Sequence, residues 1–187
     1  MKNRIAFRLA LICFLSIIPM GRAVFAQTAV LNSYDLGTVH SPKGFGLFYE
    51  PVIDEVSFDS FAFIADMYGV LTGQHSTPGF KMTYTRAIIF RTLEKKGMTL
   101  DIYGGPGLAT GYGRDINAEF SVYAGLHGAV GSRFSFDRNI ILSIEFGGDL
   151  ALKANRDNRF KSLQLSLYKA GIYHSALPQI KIAYRFK

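Results

Sequence analysis

Residues 139–152, NIILSIEFGGDLAL, alternate apolar with small or charged side chains at a period of two. This period predicts a β-strand, because successive strand residues point to opposite faces of a sheet. One face carries Ile140, Leu142, Ile144, Phe146, Leu150 and Leu152. The other face carries Ser143, Glu145, Gly147 and Asp149. The stretch therefore separates an apolar environment from a polar one.

The same rhythm recurs along the chain from residue 44, with turn residues between the segments. Eight strands are predicted, around 44–53, 58–71, 80–91, 98–111, 118–135, 140–152, 163–173 and 179–187. Most are as long as the ~9–11 residues that a tilted strand needs to cross a bilayer. The register of the third is unclear, because Arg86 shares a face with Met82 and Ile88. A β-bulge is the simplest explanation.

The first 26 residues are predicted to be a cleaved signal peptide. Lys2, Arg4 and Arg8 precede a short apolar run, and a small-residue cleavage site ends at Ala26. Without this leader, which also holds Cys13, the chain has no cysteine for disulfides or thiolate metal sites and no basic excess that would indicate nucleic-acid binding. Residues 27–43 are predicted to be an N-terminal lead-in, and residues 44–187 a single barrel domain.

Two architectures share this pattern and differ in which face meets water. A soluble exported ligand-binding barrel turns its apolar face inward, whereas an outer-membrane barrel turns it toward lipid. Only 19% of the residues are charged, too few to cover a water-facing sheet. We therefore predict an all-β fold: one antiparallel, up-and-down transmembrane β-barrel of eight strands in the outer membrane, with a side-chain-filled lumen. The predicted polar network of the lumen is Asp66, Asp101, Glu119, His127, Arg133, Glu145, Asp149, Lys181 and Arg185.

The last predicted strand, QIKIAYRFK at 179–187, resembles the C-terminal strand of Gram-negative outer-membrane proteins. In that family alternating hydrophobic residues end on an aromatic, and the barrel-assembly machinery recognises them. The matching positions are Ile180, Ile182, Tyr184 and Phe186, although this chain continues to Lys187. The stretches LDIYGGPGLATGYGRD, GAVGSRFSFDRNIILSIEFGGDLAL and LYKAGIYHSALPQIKIAYRF resemble small, poorly characterised outer-membrane barrels of Bacteroides-like bacteria. These resemblances imply a fold, a location and partners, namely outer-membrane lipids, lipopolysaccharide and the assembly machinery, but no activity.

A lipid-modifying enzyme similar to the lipid A deacylases is the alternative function. His174 and Ser175 are adjacent, however, and adjacent strand residues point to opposite faces. His127 shares the polar face with Ser121 and could approach Glu145 of the next strand. These are the parts of a hydrolase, but equally of a hydrogen-bonded lumen network. We therefore predict a non-enzymatic barrel.

Cofactor and metal sites are not expected. YGGPGLATGYG, at 103–113, lacks the Lys-Ser/Thr ending of a phosphate loop. Its glycines are predicted to relieve crowding or to make room for an aromatic such as Tyr103 or Tyr123. His40 and His75 stand alone, without metal-ligand spacing.

The predicted connections do not fit the usual rule for such barrels. Loops after odd-numbered strands should face outside and be long. In this strand count TLEKKG, FDRN and HSALP follow odd-numbered strands and look short, whereas TGQHSTPG and ANRDNRF look longer.

Overall fold

The computed structural model describes residues 33–67, 70, 78–114, 120–136, 139–156, 163–173 and 177–187. The predicted signal peptide lies outside these residues. The elements are β1 (Tyr34–Ser41), β2 (Gly44–Asp54), β3 (Ser57–Asp66), β4 (Gly79–Lys95), β5 (Met98–Arg114), β6 (Phe120–Phe136), β7 (Ile140–Arg156), β8 (Leu163–Leu167), α1 (Lys169–Tyr173) and β9 (Pro178–Phe186). No helix in this part of the chain is both long enough and apolar enough to cross a lipid bilayer.

The strands close into an antiparallel barrel. Neighbouring strands pair in chain order from β1 to β7, β9 pairs with β7, and β1 pairs with β9. The ring therefore has eight positions, and β8 extends the last of them by pairing with the end of β7 at Leu152–Arg156. The predicted all-β, eight-stranded antiparallel barrel is confirmed.

One strand of the barrel was not predicted, and one of the eight predicted strands was wrong over part of its length. Residues 34–41, which were predicted to lie in the lead-in, form β1, so the barrel begins near Tyr34 rather than at residue 44. The outward side of β1 includes Thr38 and His40, and this polar content hides the alternation. The predicted strand 163–173 is a strand only as far as Leu167, and its remainder includes α1.

Counting β1 explains the connection lengths that the predicted strand order left anomalous. The short connections 55–56, 96–97 and 137–139 now follow the even-numbered strands β2, β4 and β6, which end on the side of the barrel that holds Tyr34 and Phe186. We call this the short-turn end. The odd-numbered strands β3, β5 and β7, which precede the longer connections 67–78, 115–119 and 157–162, end on the opposite side together with the two-residue turn 42–43. We call this the loop end.

The turn between β2 and β3 is fixed by the side chain of Asp54. Its Oδ1 accepts hydrogen bonds from the Ser57 hydroxyl at 2.8 Å and from the Val56 amide at 3.0 Å. These donors, Ser57 first, lower the pKa of the Asp54 carboxyl because they stabilise its ionised form. The Asp54 side chain thus stabilises the turn by hydrogen-bonding to the residues that follow it.

The barrel has an apolar outer face and an interior that mixes buried charges with small, aliphatic and aromatic side chains. Outward positions carry large apolar side chains on every long strand, for example Met82, Leu108, Val130 and Leu150, which are 40–59% exposed. Inward positions carry buried charges such as Lys181, which is 2% exposed. The alternating residues of β7 therefore have their apolar side outward.

Arg86 does lie on the outer face with Met82 and Ile88, and the predicted bulge is not what places it there. The register shift of β4 falls between Ile89 and Arg91. Arg86 itself is in regular register opposite Asp59 of β3. Its position is explained by this ion-pair partner on the same outer face.

Glycine in the 103–113 run makes room for an aromatic ring, as predicted. A Cβ at Gly111 of β5 would lie 2.5 Å from the Tyr123 hydroxyl oxygen and 2.6 Å from Cζ of the same ring. Only glycine leaves space for this inward tyrosine of β6, which stacks on Tyr168 with 4.0 Å between ring centroids.

Candidate functional site

The lumen near the short-turn end is organised around the ammonium group of Lys181 on β9. Its Nζ lies 3.1 Å from Glu50 Oε1 and 2.8 Å from Glu145 Oε2, and it donates to the Ser60 hydroxyl at 3.2 Å. The Tyr103 hydroxyl donates to the same Glu145 oxygen at 2.9 Å. All five side chains are buried. One cation thus joins carboxylates from two strands that are not neighbours in the barrel.

A second set of buried charges continues the same cluster toward the short-turn end. Arg133 of β6 forms an ion pair with Asp35 of β1 and lies 3.8 Å from Glu50. Its guanidinium carbon is 4.3 Å from the ring centroid of Phe58, which is a cation–π contact. Arg185 contacts both oxygens of Asp35, at 2.8 and 3.0 Å. We call Asp35, Glu50, Arg133, Glu145, Lys181 and Arg185 the short-turn cluster.

A separate cluster lies nearer the loop end. His127 Nδ1 is 2.7 Å from Asp149 Oδ1, and Lys81 Nζ is 2.6 Å from the other carboxylate oxygen. Helix α1 covers this group, because a Cβ added at Gly171 would lie 2.8 Å from Asp149 Cβ. We call His127, Asp149 and Lys81 the loop-end cluster. Helix α1 therefore covers the loop-end cluster on the side of the loop end.

A small cavity with a mixed polar and apolar lining lies beside the loop-end cluster. Its volume is about 30 Å³, and its lining includes Lys43, Asp66, Lys81, Tyr123 and Asp149. A single water needs ~10–15 Å³ measured in this way, so the cavity has room for one or two waters. The lumen at this level is filled by side chains rather than open to a solute.

The predicted lumen residues divide between these sites. Arg133, Glu145, Lys181 and Arg185 belong to the short-turn cluster, and His127 and Asp149 to the loop-end cluster. Asp66 lies 3.9 Å from Lys43 at the cavity. Asp101 accepts a hydrogen bond from Thr92 at 2.7 Å in an exposed position. Glu119 lies outside the described residues.

Sequence reasoning missed two of the central carboxylates. Asp35 stands on β1, which was predicted to be a lead-in, and Glu50 stands in a segment whose faces were not assigned. The signal that could have found Glu50 is its place two residues after Phe48, which is itself inward-facing and buried. In this lumen an inward face mixes aromatic and charged residues.

The histidine geometry differs from the hydrolase arrangement weighed from the sequence. The partner of His127 is Asp149, because these two residues are direct neighbours in the β6–β7 register, whereas Glu145 stands opposite Gly131. Ser121 is six residues from His127 on the same strand, which is roughly 20 Å. This separation is too long for a base and its nucleophile.

The remaining histidines are His40, His75 and His174. His174, Ser175 and His75 lie outside the described residues. His40 is exposed, and its Nε2 lies 3.1 Å from the Thr38 hydroxyl. Across the described ranges, no group of three or more His, Cys, Asp or Glu side chains is placed to hold a metal ion.

Gly147→Ala is expected to destabilise the barrel by about 1–3 kcal/mol, the usual effect of overpacking. A Cβ at this position would lie 2.8 Å from Cε1 of His127, whose ring packs on the Gly147 backbone. The matched control is Gly128→Ala on the facing strand, where the nearest atom to an added Cβ is 4.0 Å away. Urea unfolding of both variants in detergent measures the difference, and equal midpoints would contradict the packing of His127.

A hydrogen-bonded ion pair lies on the outer face among apolar residues. Arg86 Nη1 lies 3.1 Å from Asp59 Oδ1, and the Tyr84 hydroxyl donates to the same oxygen at 3.2 Å. Arg86 Nη2 donates to the Ser57 hydroxyl at 3.4 Å. The Asp59 side chain is fully covered, whereas that of Arg86 is 39% exposed.

No protein-family model matches the chain, and no curated protein matches it. Among solved structures, it is similar to the N-terminal β-barrel domain of Pseudomonas aeruginosa OprF, with a TM-score of 0.46 and 6% identity over 82% of this chain and 96% of that one. It is also similar to Ail, the attachment invasion locus protein of Yersinia pestis, in complex with the heparin analogue sucrose octasulfate, with a TM-score of 0.36 and 14% identity over 82% and 97% of the two chains. A second Ail structure gives a TM-score of 0.34 and 13% identity over 82% and 94%. At these scores the similarities carry no information about function.

Proposed function

We propose that this chain is an integral outer-membrane β-barrel of the cell envelope, with a structural or interaction role and no enzymatic activity. The observation that carries the proposal is the inverted polarity of the barrel. Side chains that would form the core of a soluble protein, such as Leu126 and Leu150, are 62% and 57% exposed on the outer face. The two clusters of charged residues lie inside the barrel.

This polarity disfavours the soluble ligand-binding barrel. Soluble monomers rarely expose an apolar patch larger than ~300–600 Å². Here exposed apolar side chains follow the outer face of strands on every side of the ring, for example Leu47, Phe63, Leu108, Val130 and Ile182. A lipid environment removes the cost of this surface, and closure of the sheet pairs the backbone groups as a bilayer requires.

The filled lumen supports a structural role over a pore or an enzyme. Two ion-pair clusters and α1 occupy the interior, and the cavity of about 30 Å³ has no room for a solute. The separation of Ser121 from His127 gives no support to a lipid A deacylase-like reaction. The proposed partners are outer-membrane lipids, lipopolysaccharide and, during insertion, the barrel-assembly machinery.

The proposal includes the orientation of the barrel in the outer membrane and the kind of bacterium from which the protein comes. Short turns of outer-membrane barrels face the periplasm and longer loops face outside, so the short-turn end is assigned to the periplasm. Export by a cleaved leader of residues 1–26 and an origin in a Gram-negative, Bacteroides-like bacterium rest on the sequence patterns and resemblances described above.

Heat-modified gel migration tests the membrane barrel. The full chain expressed in a Gram-negative host should remain in the membrane after carbonate washing, and should require detergent for extraction. Unheated samples should then migrate at a different position from boiled samples, because the closed barrel resists unfolding by the detergent. A protein that stays in solution without detergent would overturn the proposal.

A further inference from the structure

Arg86 is a cation on the outer face of β4, surrounded by apolar side chains. Met82 lies above it on the same face and Ile88 and Phe90 lie below it, with exposed fractions of 40%, 46% and 68%. A charge that faces lipid is unfavourable unless a partner satisfies it, so such a residue points to a functional site.

The partners of Arg86 within the chain use only part of its hydrogen-bonding capacity. The guanidinium carries five N–H donors, and the described residues accept from it at Asp59 and Ser57. Ser57 is the register partner of Ile88, two positions closer to the short-turn end than Asp59. The guanidinium is therefore directed toward that end of the strand.

The bulge in β4 turns a second arginine to the same face. The register shift between Ile89 and Arg91 pairs Arg91 with Ile102, which is 40% exposed on the outer face. Without the extra residue, Arg91 would point into the lumen, since side chains alternate. Arg91 is exposed, and among the described residues its side chain has no hydrogen bond or ion pair. It lies roughly 15 Å from Arg86 along the strand, a gap that two arginine side chains can largely span.

We propose that Arg86 and Arg91 bind the phosphate of a phospholipid headgroup on the outer face of β4, with the acyl chains lying against Met82, Ile88 and Phe90. This site rests on the proposed membrane location. It lies on the short-turn side of the belt, so the lipid belongs to the periplasmic leaflet.

The chemistry of the two residues selects phosphate. Guanidinium groups donate two parallel hydrogen bonds to phosphate oxygens, and such charge-assisted bonds are about twice as strong as neutral ones. Asp59 neutralises part of the charge of Arg86, but it is fully covered and cannot itself meet a lipid. Arg91 supplies the uncompensated charge that an anionic headgroup requires.

Native mass spectrometry of the detergent-solubilised full chain tests the site with dioleoyl phosphatidylglycerol as the probe. Arg91→Gln should weaken lipid retention about tenfold, as expected for the loss of one charge-assisted contact. Arg86→Lys keeps the charge but not the planar fork, and should also weaken retention. The matched control is Lys95→Gln, which removes an exposed cation from the end of the same strand and should leave retention unchanged.

Two further probes show whether the site binds a phospholipid, acyl chains alone or a free phosphate. Dioleoylglycerol has the chains without phosphate and should be retained weakly and equally by all variants. Glycerol phosphate has the phosphate without chains and should not displace the phospholipid. Displacement by glycerol phosphate, or an equal loss in Lys95→Gln, would overturn the site.

The membrane proposal and the lipid site fail in different ways. Loss of heat-modified migration or of membrane association in the unmodified chain would overturn the membrane barrel and the site with it. Normal migration with unchanged phosphatidylglycerol retention in both arginine variants would overturn the lipid site alone.

Discussion

Lys181→Met is expected to destabilise the barrel by about 3–5 kcal/mol, the usual effect of removing one partner from a buried ion pair. The substitution keeps much of the side-chain volume but leaves Glu50 and Glu145 buried without their shared cation. Each carboxylate then lacks the charge that compensates its burial. The free energy of unfolding in detergent, followed by far-UV circular dichroism against denaturant concentration, measures the loss.

The neighbouring residue provides the matched control for this prediction. Ile182 is the next residue of β9 but faces outward and is 50% exposed, so Ile182→Met should change stability by less than about 1.5 kcal/mol. Adding Glu145→Gln to Lys181→Met should recover much of the loss, because the short-turn cluster then holds two carboxylates, Asp35 and Glu50, and two arginines, Arg133 and Arg185. If Lys181→Met were no more harmful than Ile182→Met, the cluster would not stabilise the fold.

Much of the architecture was predictable because a barrel wall repeats one rule. On β7, large apolar residues such as Ile140 and Leu150 face outward while Glu145 and Asp149 face inward, and the period of two in the sequence already says this. The alternation did not identify the strands correctly where the outward residues are polar or where a strand ends early. β1 has Thr38 on its outer face, and the predicted strand 163–173 becomes β8 and α1 partway along.

The partners inside the lumen were harder to predict than its composition. Period two identified His127 and Lys181 as inward, but the partner of each depends on the register between strands. The antiparallel register of β6 and β7 sets His127 opposite Asp149, and only closure of the ring brings Lys181 to Glu50 of β2. Contacts between residues 131 positions apart in sequence follow from barrel geometry, which a single strand pattern does not contain.

The Arg86–Asp59 ion pair on the outer face was also not predictable from the pattern of one strand. Arg86 looked like a register error because the pattern was expected to keep charges inside. Its partner Asp59 comes from the neighbouring strand, and the bulge that the sequence suggested lies elsewhere, at Ile89–Arg91. A charge that breaks a strong alternation is therefore worth keeping as a candidate site, even when the strand is otherwise apolar.

The second large effect is expected for Val130→Arg, which should destabilise the barrel by about 2–4 kcal/mol in a bilayer. Val130 is 59% exposed near the middle of β6 and pairs with Phe146 of β7. At this depth the guanidinium must lie in hydrocarbon or deform the membrane to reach water. Unfolding in lipid vesicles, read by heat-modified migration against urea concentration, gives the change in free energy.

Val122 makes this prediction discriminating, since it is the same residue type on the same strand with an equivalent exposure of 57%. It lies near the loop end of β6, where an arginine reaches the interface, and Val122→Arg should therefore change stability by only about 0–1 kcal/mol. In a soluble barrel both positions would be ordinary exposed sites, and both arginines would act within about 0.5 kcal/mol of each other. The difference between the two variants thus measures the depth of the surrounding lipid, and its absence would favour the soluble barrel over the membrane one.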